Sequence, residues 1–362
     1  MSRITAPPYI YFLLASVLYA FAGTASLSAL EVRDLYEAEV PVADKSEAAR
    51  EAGLGDALLR VITKISGLPG VRSDPTVARA MENPGRFVQQ FRYRQVSVTE
   101  APDSQAPDQS WRLWARFDAR VVDGLVRDAG LRVWGRVRPA VMVWVAVDQS
   151  GRRRILGGEE APELAAIIRD AARQRGVPVV LPLLDLEDRS RIRVSDVWGG
   201  FSDRIQQASD RYQSNVIFTG RVYRLLPTLW EGRFSLLAAD TVEEWSNQGD
   251  ILELLLADAV NAMANRLAFR FAGPSEVAGA YGFGLIVSGV RNAGDYARAL
   301  DYLSTLEQIT DVSVTRVSAD EVRFFVETRG GQDGLLKVVA LGGTLARESL
   351  PGDPELRFRL LP

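Results

Sequence analysis

The stretch Gly176–Phe201 (GVPVVLPLLDLEDRSRIRVSDVWGGF) decides the organisation that we predict for this chain. Its apolar run Val177–Leu184 is typical of a strand that is buried on both faces of a sheet. Three carboxylates within residues 185–188 follow the run, and after a short basic segment Ser195 is a suitable N-cap for a helix. Ligands of open α/β sheets bind beyond the carboxyl ends of the strands. We therefore expect any polar site to lie at the acidic end of this run.

Further strands and helices around this stretch predict a central three-layer α/β domain over residues 138–271. Pro139–Val147 (PAVMVWVAV) is a second continuous apolar run, and the basic residues 152–154 follow it in a predicted loop. The remaining predicted elements are an amphipathic helix at Pro162–Arg175, strands at Asn215–Leu225 and Trp230–Ala239, and a long helix at Asp250–Arg270. We expect the last two of these strands to pair as a hairpin, and the alternation of strands and helices before them favours a parallel-sheet core with right-handed crossovers.

An N-terminal α+β domain is predicted over residues 30–135, and a C-terminal α+β domain over residues 281–362. In the first, a strand at Leu30–Val40 precedes a helix that begins after the N-cap Ser46 and ends at Gly67, and an antiparallel pair of strands follows. In the second, the order β-α-β-β-α-β is that of a ferredoxin-like fold, and a linker of small residues precedes it. The predicted fold class is therefore α/β plus α+β, in several domains.

Residues 1–28 are predicted to be a secretory signal peptide. Arg3 supplies a positive charge, Tyr9–Ala22 is an apolar segment, and small residues follow it. Cleavage is expected after Ala25 or Ser28. The alternative is an uncleaved N-terminal anchor, although the apolar segment is shorter than the roughly 20 residues of a spanning helix. We expect a periplasmic, exported protein that has no stable transmembrane segment after the signal is removed.

The 362-residue chain contains neither cysteine nor histidine. The lack of cysteine excludes disulfides, thiol nucleophiles and thiolate metal ligands, and the lack of histidine excludes Ser-His-Asp triads and histidine general bases. We predict no cofactor and no metal site, because the sequence also lacks phosphate-loop and dinucleotide-binding glycine motifs. The net charge of −3 argues against nucleic acid as a partner.

The candidate ligand-binding residues are Asp185, Glu187, Asp188, Asp196 and Trp198. Carboxylates can bind Mg²⁺ or Ca²⁺, and a pair of them can hydrolyse a glycosidic bond, but none of these residues is assigned a catalytic role. The competing interpretation is structural: the carboxylates cap backbone amides and pair with the arginines at positions 189, 191 and 193. Trp198 would contact a glycan or peptide if it is exposed, and would otherwise pack in the core.

Three stretches of the sequence together resemble a known family. They are Leu35–Arg50 (LYEAEVPVADKSEAAR), Val133–Asp148 (VWGRVRPAVMVWVAVD) and Leu181–Phe201 (LPLLDLEDRSRIRVSDVWGGF). In these three stretches, the chain is similar to a family of exported proteins of Gram-negative bacteria that carries the label "domain of unknown function two-zero-six-six". The resemblance implies a periplasmic or envelope-associated protein, and it brings no activity and no assigned catalytic residues.

Three functions are compatible with the sequence. The leading prediction is a non-catalytic binding or assembly module of the cell envelope, with envelope proteins or peptidoglycan as partners. The alternative is a carboxylate-dependent hydrolase that acts on envelope glycans. A third hypothesis is a sensor that binds a small ligand in the crevice of the parallel sheet.

Overall fold

The computed structural model describes residues 29–97, 109–238, 241–272, 281–328, 331–339, 342–348 and 356–361. These residues form three larger β-sheets, one two-stranded sheet, and helices that pack on the sheets. The prediction of a mixed α and β chain built from several units is confirmed. The predicted signal peptide, residues 1–28, lies outside the described residues, and the predicted domain boundaries stay predictions.

The N-terminal unit is a three-stranded antiparallel sheet in the order β2-β4-β3. Its long helix begins where the sequence predicts, since the Ser46 hydroxyl accepts a hydrogen bond from the Ala49 amide, and it ends at Gly67 with φ of 68°. The elements are β1 Ala29–Glu31, β2 Glu37–Val42, α1 Glu47–Ser66, α2 Pro75–Met81, β3 Val88–Ser97, β4 Gln109–Phe117 and α3 Ala119–Asp128.

The single strand predicted at Leu30–Val40 is instead two strands with a turn between them. Leu35 and Tyr36 are neighbours in sequence and both are buried, which a strand with alternating faces does not allow. The turn lets β1 leave the N-terminal sheet and pair with β5, Val137–Pro139, at the entrance of the central unit.

The central unit contains a six-stranded sheet in the order β11-β10-β9-β6-β7, with β8 also paired to β6. Only the β6–β8 and β6–β9 pairs are parallel, so the sheet is mixed and not the parallel sheet that we predicted. Its elements are β6 Val141–Gln149, β7 Arg152–Ile155, α4 Pro162–Gln174, β8 Val179–Val180, α5 Leu186–Arg191, α6 Val194–Gly199, α7 Ser202–Ser209, β9 Val216–Leu226, β10 Leu229–Ala238, β11 Thr241–Gly249 and α8 Leu252–Phe271.

Strand β6 is buried on both faces, which confirms the interpretation of its apolar run. On one face Val143 and Val145 belong to the same hydrophobic cluster as the inner residues of α4 and α8. On the other face Met142 and Trp144 pack in a cluster that includes residues of α6 and α7. The central unit therefore has helices on both sides of its sheet.

The stretch Gly176–Phe201 has less regular structure than its sequence predicts. The strand predicted at Val177–Leu184 is reduced to the two residues of β8, because Pro178 and Pro182 lack the N–H that a central strand must donate. The helix predicted from Ser195 is two helices, α6 and α7, since the chain takes a left-handed conformation at Gly200 with φ of 69°.

The C-terminal unit has five strands in the order β13-β14-β12-β16-β15. The four-stranded ferredoxin-like sheet that we predicted is not what forms: the additional strand β15 lies after the second helix, and β16 pairs with β12 in parallel. The elements are β12 Tyr281–Ser288, α9 Ala293–Thr305, β13 Ile309–Val317, β14 Glu321–Thr328, α10 Gly331–Val339, β15 Leu345–Glu348 and β16 Leu356–Leu360.

A buried arginine joins the N-terminal and central units. Arg138 is fully buried and donates hydrogen bonds of 2.7–3.0 Å to five backbone carbonyls, those of Lys64, Trp134, Gly135, Arg175 and Gly176. Two of these carbonyls lie at the C-terminus of α1 or α4, where the helix dipoles favour a cation. Burial, with the nearby charge of Arg175, lowers the pKa of Arg138 to about 9, so the side chain is charged at neutral pH.

Candidate functional site

The acidic cluster at residues 185–188 forms the N-terminus of α5. The Asp185 carboxylate caps this helix by accepting a hydrogen bond of 2.9 Å from the Asp188 amide. It also accepts hydrogen bonds of 2.7 and 3.1 Å from the Arg211 guanidinium. The Arg211 bonds and the Asp188 amide lower the pKa of Asp185 to about 2. Asp185 is therefore ionised and engaged at neutral pH.

Asp188 is fully buried and is the centre of this cluster. Its carboxylate accepts hydrogen bonds from the Leu184 amide at 2.8 Å, the Tyr212 hydroxyl at 2.6 Å and Arg211 at 2.8 Å. Burial and the bond to Asp188 raise the pKa of the Tyr212 phenol. These bonds attach the 184–188 loop to the chain that follows α7.

The two other carboxylates also have partners within the protein. Glu187 pairs with Arg191 at 2.8 Å and with Arg211 at 3.4 Å, and Asp196 accepts the Arg193 amide at 2.8 Å in the first turn of α6. The four candidate carboxylates are thus placed as helix caps and ion-pair partners. The sequence did not indicate Arg211, which lies 23 positions after Asp188, because nothing in the spacing marks it as a partner.

The carboxylates do not converge on open space as metal ligands would. In the part of the chain that the structure describes, no group of three or more acidic side chains is placed to hold a metal ion. The Mg²⁺ or Ca²⁺ site considered from the sequence is therefore not formed by the described residues of this cluster.

Trp198, the remaining candidate, lies apart from the acidic cluster and lines a groove on the sheet. The groove is a hollow of about 500 Å³ between α6 and the outer strands β9, β10 and β11. We call it the Trp198 groove; its polar lining residues are Thr219, Arg221, Glu231, Arg233, Ser235, Glu244 and Ser246. Trp198 is half-buried, its ring is 6.1 Å from that of Tyr223, and Arg153 lies over it at 4.1 Å.

A fixed polar network forms the floor of the Trp198 groove. Glu231 is buried and accepts hydrogen bonds from Arg233 at 2.7 Å, Tyr223 at 2.9 Å and Gln248 at 3.3 Å. The bonds from Arg233 and Tyr223 hold the pKa of Glu231 below its usual value. This carboxylate is an ionised, fully engaged group, which suits the positioning of a ligand better than proton transfer.

A second hollow of about 480 Å³ lies on the other side of Trp198. It is lined by the β6–β7 turn and by Tyr223 and Arg224, so it lies at the carboxyl ends of the parallel strands β6 and β9. This is the end of the sheet where ligands of α/β proteins bind. The sequence indicates Trp198 as a site residue, but it does not indicate Tyr223, Glu231 or Arg233. The sequence signal that could have identified these three residues is their alternating positions along β9 and β10, the two strands of a hairpin.

Strand β11 borders the groove and is an edge of the central sheet. Among the described residues it pairs only with β10, in a continuous register over nine residues without a bulge. Its sequence, TVEEWSNQG, contains neither the proline nor the lysine that commonly protects such an edge. Glu243 pairs with Arg266 at 3.5 Å, whereas Glu244 is exposed on the side of the groove.

Another cleft, of about 1100 Å³, lies at the opposite end of the sheet, where β9 begins and β10 ends. Arg270 donates there to the Ala238 carbonyl and the Thr241 hydroxyl and also pairs with Glu243, and none of the five candidate residues lines this cleft. We therefore base the functional argument on the Trp198 groove.

Comparison with known proteins gives a match over the N-terminal part of the chain. A family model described as Domain of unknown function (DUF8605) matches residues 29–135. No curated protein and no solved structure matches. The expectation of an uncharacterised domain is confirmed to that extent, but the match supports neither the particular family that the sequence resembles nor its Gram-negative source. Within the described ranges, no helix is both long and apolar enough to cross a membrane.

Proposed function

We propose that this chain is a non-catalytic binding protein of the cell envelope, and that it binds an extended segment of a partner protein. The observation that carries the proposal is that the edge of β11, which is unpaired among the described residues, is continuous with the Trp198 groove. A peptide strand added to β11 would gain main-chain hydrogen bonds along the edge. Its alternate side chains would lie on the same side of the sheet as Glu244 and Ser246, next to the groove.

The lining of the groove suggests what the partner segment contains. Glu244 is exposed there and favours a basic side chain on the ligand. Trp198 supplies a rigid aromatic surface, the kind of side chain that dominates binding energy at protein interfaces. The Glu231 network is already satisfied, so binding does not require these groups to reorganise.

The same groups give little support to the alternative of a glycan hydrolase. A general acid must hold its proton near neutral pH, and glycosidases achieve this with a carboxyl whose pKa is raised. The pKa of Asp185 and of Glu231 is lowered by arginine partners. The binding hypothesis needs no such group.

Selection of peptides from a displayed random library on the purified protein tests the proposal. We expect enriched peptides with alternating apolar and basic residues, and at least about a tenfold loss of their affinity in Trp198→Ala. Phe201→Ala is the matched control, because Phe201 is an exposed aromatic residue just outside the groove. Methylation of the peptide's backbone amides should abolish binding at alternate positions, since only alternate amides face β11. Equal affinity for wild type and Trp198→Ala would overturn the proposal.

The envelope location in this proposal rests on the sequence of residues 1–28. Cleavage of the signal would leave a protein that begins at Ser26 or Ala29, which amino-terminal sequencing of protein purified from the native cells would show. An intact amino terminus on soluble protein would contradict export by this segment.

A further inference from the structure

A cleft of about 600 Å³ lies between β2, an edge strand of the N-terminal sheet, and the last turn of α4. Arg60 and Lys64 of α1 line it, together with Arg112 and Trp114 of β4 and Arg173 of α4. Its volume is within the range of pockets that bind small molecules. It is separate from the Trp198 groove, with which it shares no lining residue.

Most of the acidic groups at this cleft are neutralised by neighbouring arginines. The ion pairs are Arg94–Glu39 at 2.8 Å, Arg116–Glu37 at 2.7 Å and Arg173–Asp170. The first two pairs cross the outer face of the sheet, and the third lies on α4. These carboxylates are therefore not available to neutralise the remaining cations.

Among the residues that the structure describes, three cations of the cleft have no carboxylate partner in an ion pair. The Arg112 side chain makes no hydrogen bond or ion pair with any of the described residues. Arg60 donates to the Glu39 carbonyl at 3.0 Å, and Lys64 donates to the carbonyls of Asp34 and Glu37 at 3.2 and 2.8 Å. The charges of Asp34 and Glu37 oppose that of Lys64, and the charge of Asp56 opposes that of Arg60. Because Glu37 and Asp56 also pair with Arg116 and Arg72, the described groups around the cleft leave a surplus of positive charge.

Arg60 is repelled by both of the other cations, Lys64 and Arg112. Arg112 lies directly opposite Arg94 in the β3–β4 pair, an arrangement of like charges that destabilises a sheet. Burial lowers the pKa of Arg60, the charge of Asp56 opposes this, and the charge of Arg112 adds a smaller lowering. Lys64 is only 5% exposed, and burial lowers its pKa as well. A bound anion would remove this repulsion and use donor hydrogens that the protein leaves unused.

We propose that this cleft binds a small organic anion, whose phosphate or carboxylate group is held by Arg60, Lys64 and Arg112. Guanidinium groups match the paired oxygens of both anions, and a buried ammonium adds a compact charge. Trp114 also lines the cleft, but Arg92 and Arg116 already lie over its ring at 4.4 and 5.4 Å. The ligand class is therefore defined by its phosphate or carboxylate group and by a size that fits the cleft.

Thermal unfolding of the full chain at constant ionic strength, with inorganic phosphate or succinate replacing chloride, tests this site. We expect at least one of the two anions to raise the Tm of the wild type, and Arg112→Gln to lose that rise, with an apparent affinity at least about tenfold weaker. Because the substitution relieves repulsion, we also expect Arg112→Gln without the anion to be at least as stable as the wild type.

Arg127→Gln is the matched control, since it removes the same charge from an exposed position on α3 and should keep the full response. A response to phosphate alone would identify a phosphate site, and a response to succinate alone a carboxylate site. The absence of a response to both anions, or an equal response in Arg112→Gln, would overturn the proposal. Neither result would affect peptide binding at the Trp198 groove.

Discussion

At the scale of single residues, Arg211 determines the role of the acidic cluster. Its guanidinium contacts Asp185, Glu187 and the buried Asp188 at once. A buried carboxylate is stable only when it is paired and hydrogen-bonded, so this one cation allows the three carboxylates to lie close together. The cluster thereby attaches a short loop to the end of α7 and does not present its charges to a ligand.

We predict that Arg211→Met shifts the acid response of the protein. The pKa of Asp185 is about 2 in the folded protein and about 3.9 in an unfolded chain, so its contribution to stability is present above pH 4 and is lost as the pH falls toward 2. In the variant, we expect this pKa to rise toward the unfolded value and acid unfolding to begin at a higher pH. A carboxyl-detected NMR titration with parallel circular dichroism measures both.

The control for this experiment is Arg191→Met, which removes an arginine that pairs with Glu187 and not with Asp185. It should leave the titration of Asp185 unchanged. If Arg211→Met also leaves it unchanged, the guanidinium is not the cause of the lowered pKa.

At the scale of elements, the end of α1 is fitted closely to α8. Gly67 ends α1 in the left-handed conformation, and a Cβ there would overlap the Cβ of Ala268 on α8 and contact Trp134. Gly70, three residues later, is also left-handed with φ of 77°, but a Cβ there would meet no atom of the described residues within 4 Å. The two glycines therefore share a backbone requirement and differ in the space around them.

Alanine at these two glycines should separate the two effects. Gly70→Ala is expected to cost about 1 kcal/mol, the usual penalty of a side chain in the left-handed region. Gly67→Ala adds the overpacking against α8 and should lower the free energy of unfolding by a further 1–3 kcal/mol or so. Urea denaturation measures both, and equal losses in the two variants would show that α1 does not pack against α8 as described.

The elements that were predictable from the sequence are those with their own local signals. Helix α1 has a capping serine and a terminal glycine, and β6 has an apolar run long enough to be buried on both faces. The sequence predicts a loop at β7 because its residues, RRRI, are largely basic, and it predicts no strand at β11 because only two of its nine residues are clearly apolar. Both strands are formed by pairing with a neighbour, which local sequence does not specify.

The candidate site was only partly predictable for the same reason. Trp198 was found, but its partners come from β7, β9 and β10, and their distance in sequence hides their proximity. The acidic cluster was conspicuous in the sequence, yet its role depended on Arg211, which only the folded chain brings beside it.

At the scale of the whole molecule, two buried arginines make the N-terminal and central units depend on each other. Arg138 reaches carbonyls of both units, and Arg175 donates to the Gly67 carbonyl at 2.9 Å and to Asn265 on α8 at 2.7 Å. Bonds of this kind are costly to break, because a buried carbonyl left without a donor loses its interaction with water as well. We therefore expect these two units to unfold together.

Arg138→Met tests this dependence, because methionine fills much of the same volume and donates no hydrogen bond. We expect the free energy of unfolding to fall by about 3–5 kcal/mol, and amide hydrogen exchange to accelerate in the cores of both units. The control Arg127→Met, at an exposed position, should change stability by no more than about 0.5 kcal/mol. Faster exchange confined to one of the two units would contradict the coupling.

The contacts of Arg138 also have a consequence for how this protein can diverge. Its five acceptors are main-chain oxygens, which every amino acid supplies, so most of the residues that provide them can change without loss of the bonds. The exceptions are Gly135 and Gly176, where a Cβ would come within 2.6 Å of Glu307 and 2.8 Å of Arg138. The donor has no such freedom, since no other side chain offers five N–H groups in a planar fork. We therefore expect Arg138 to be retained at the junction between the two units during evolution, while most of the residues around it change.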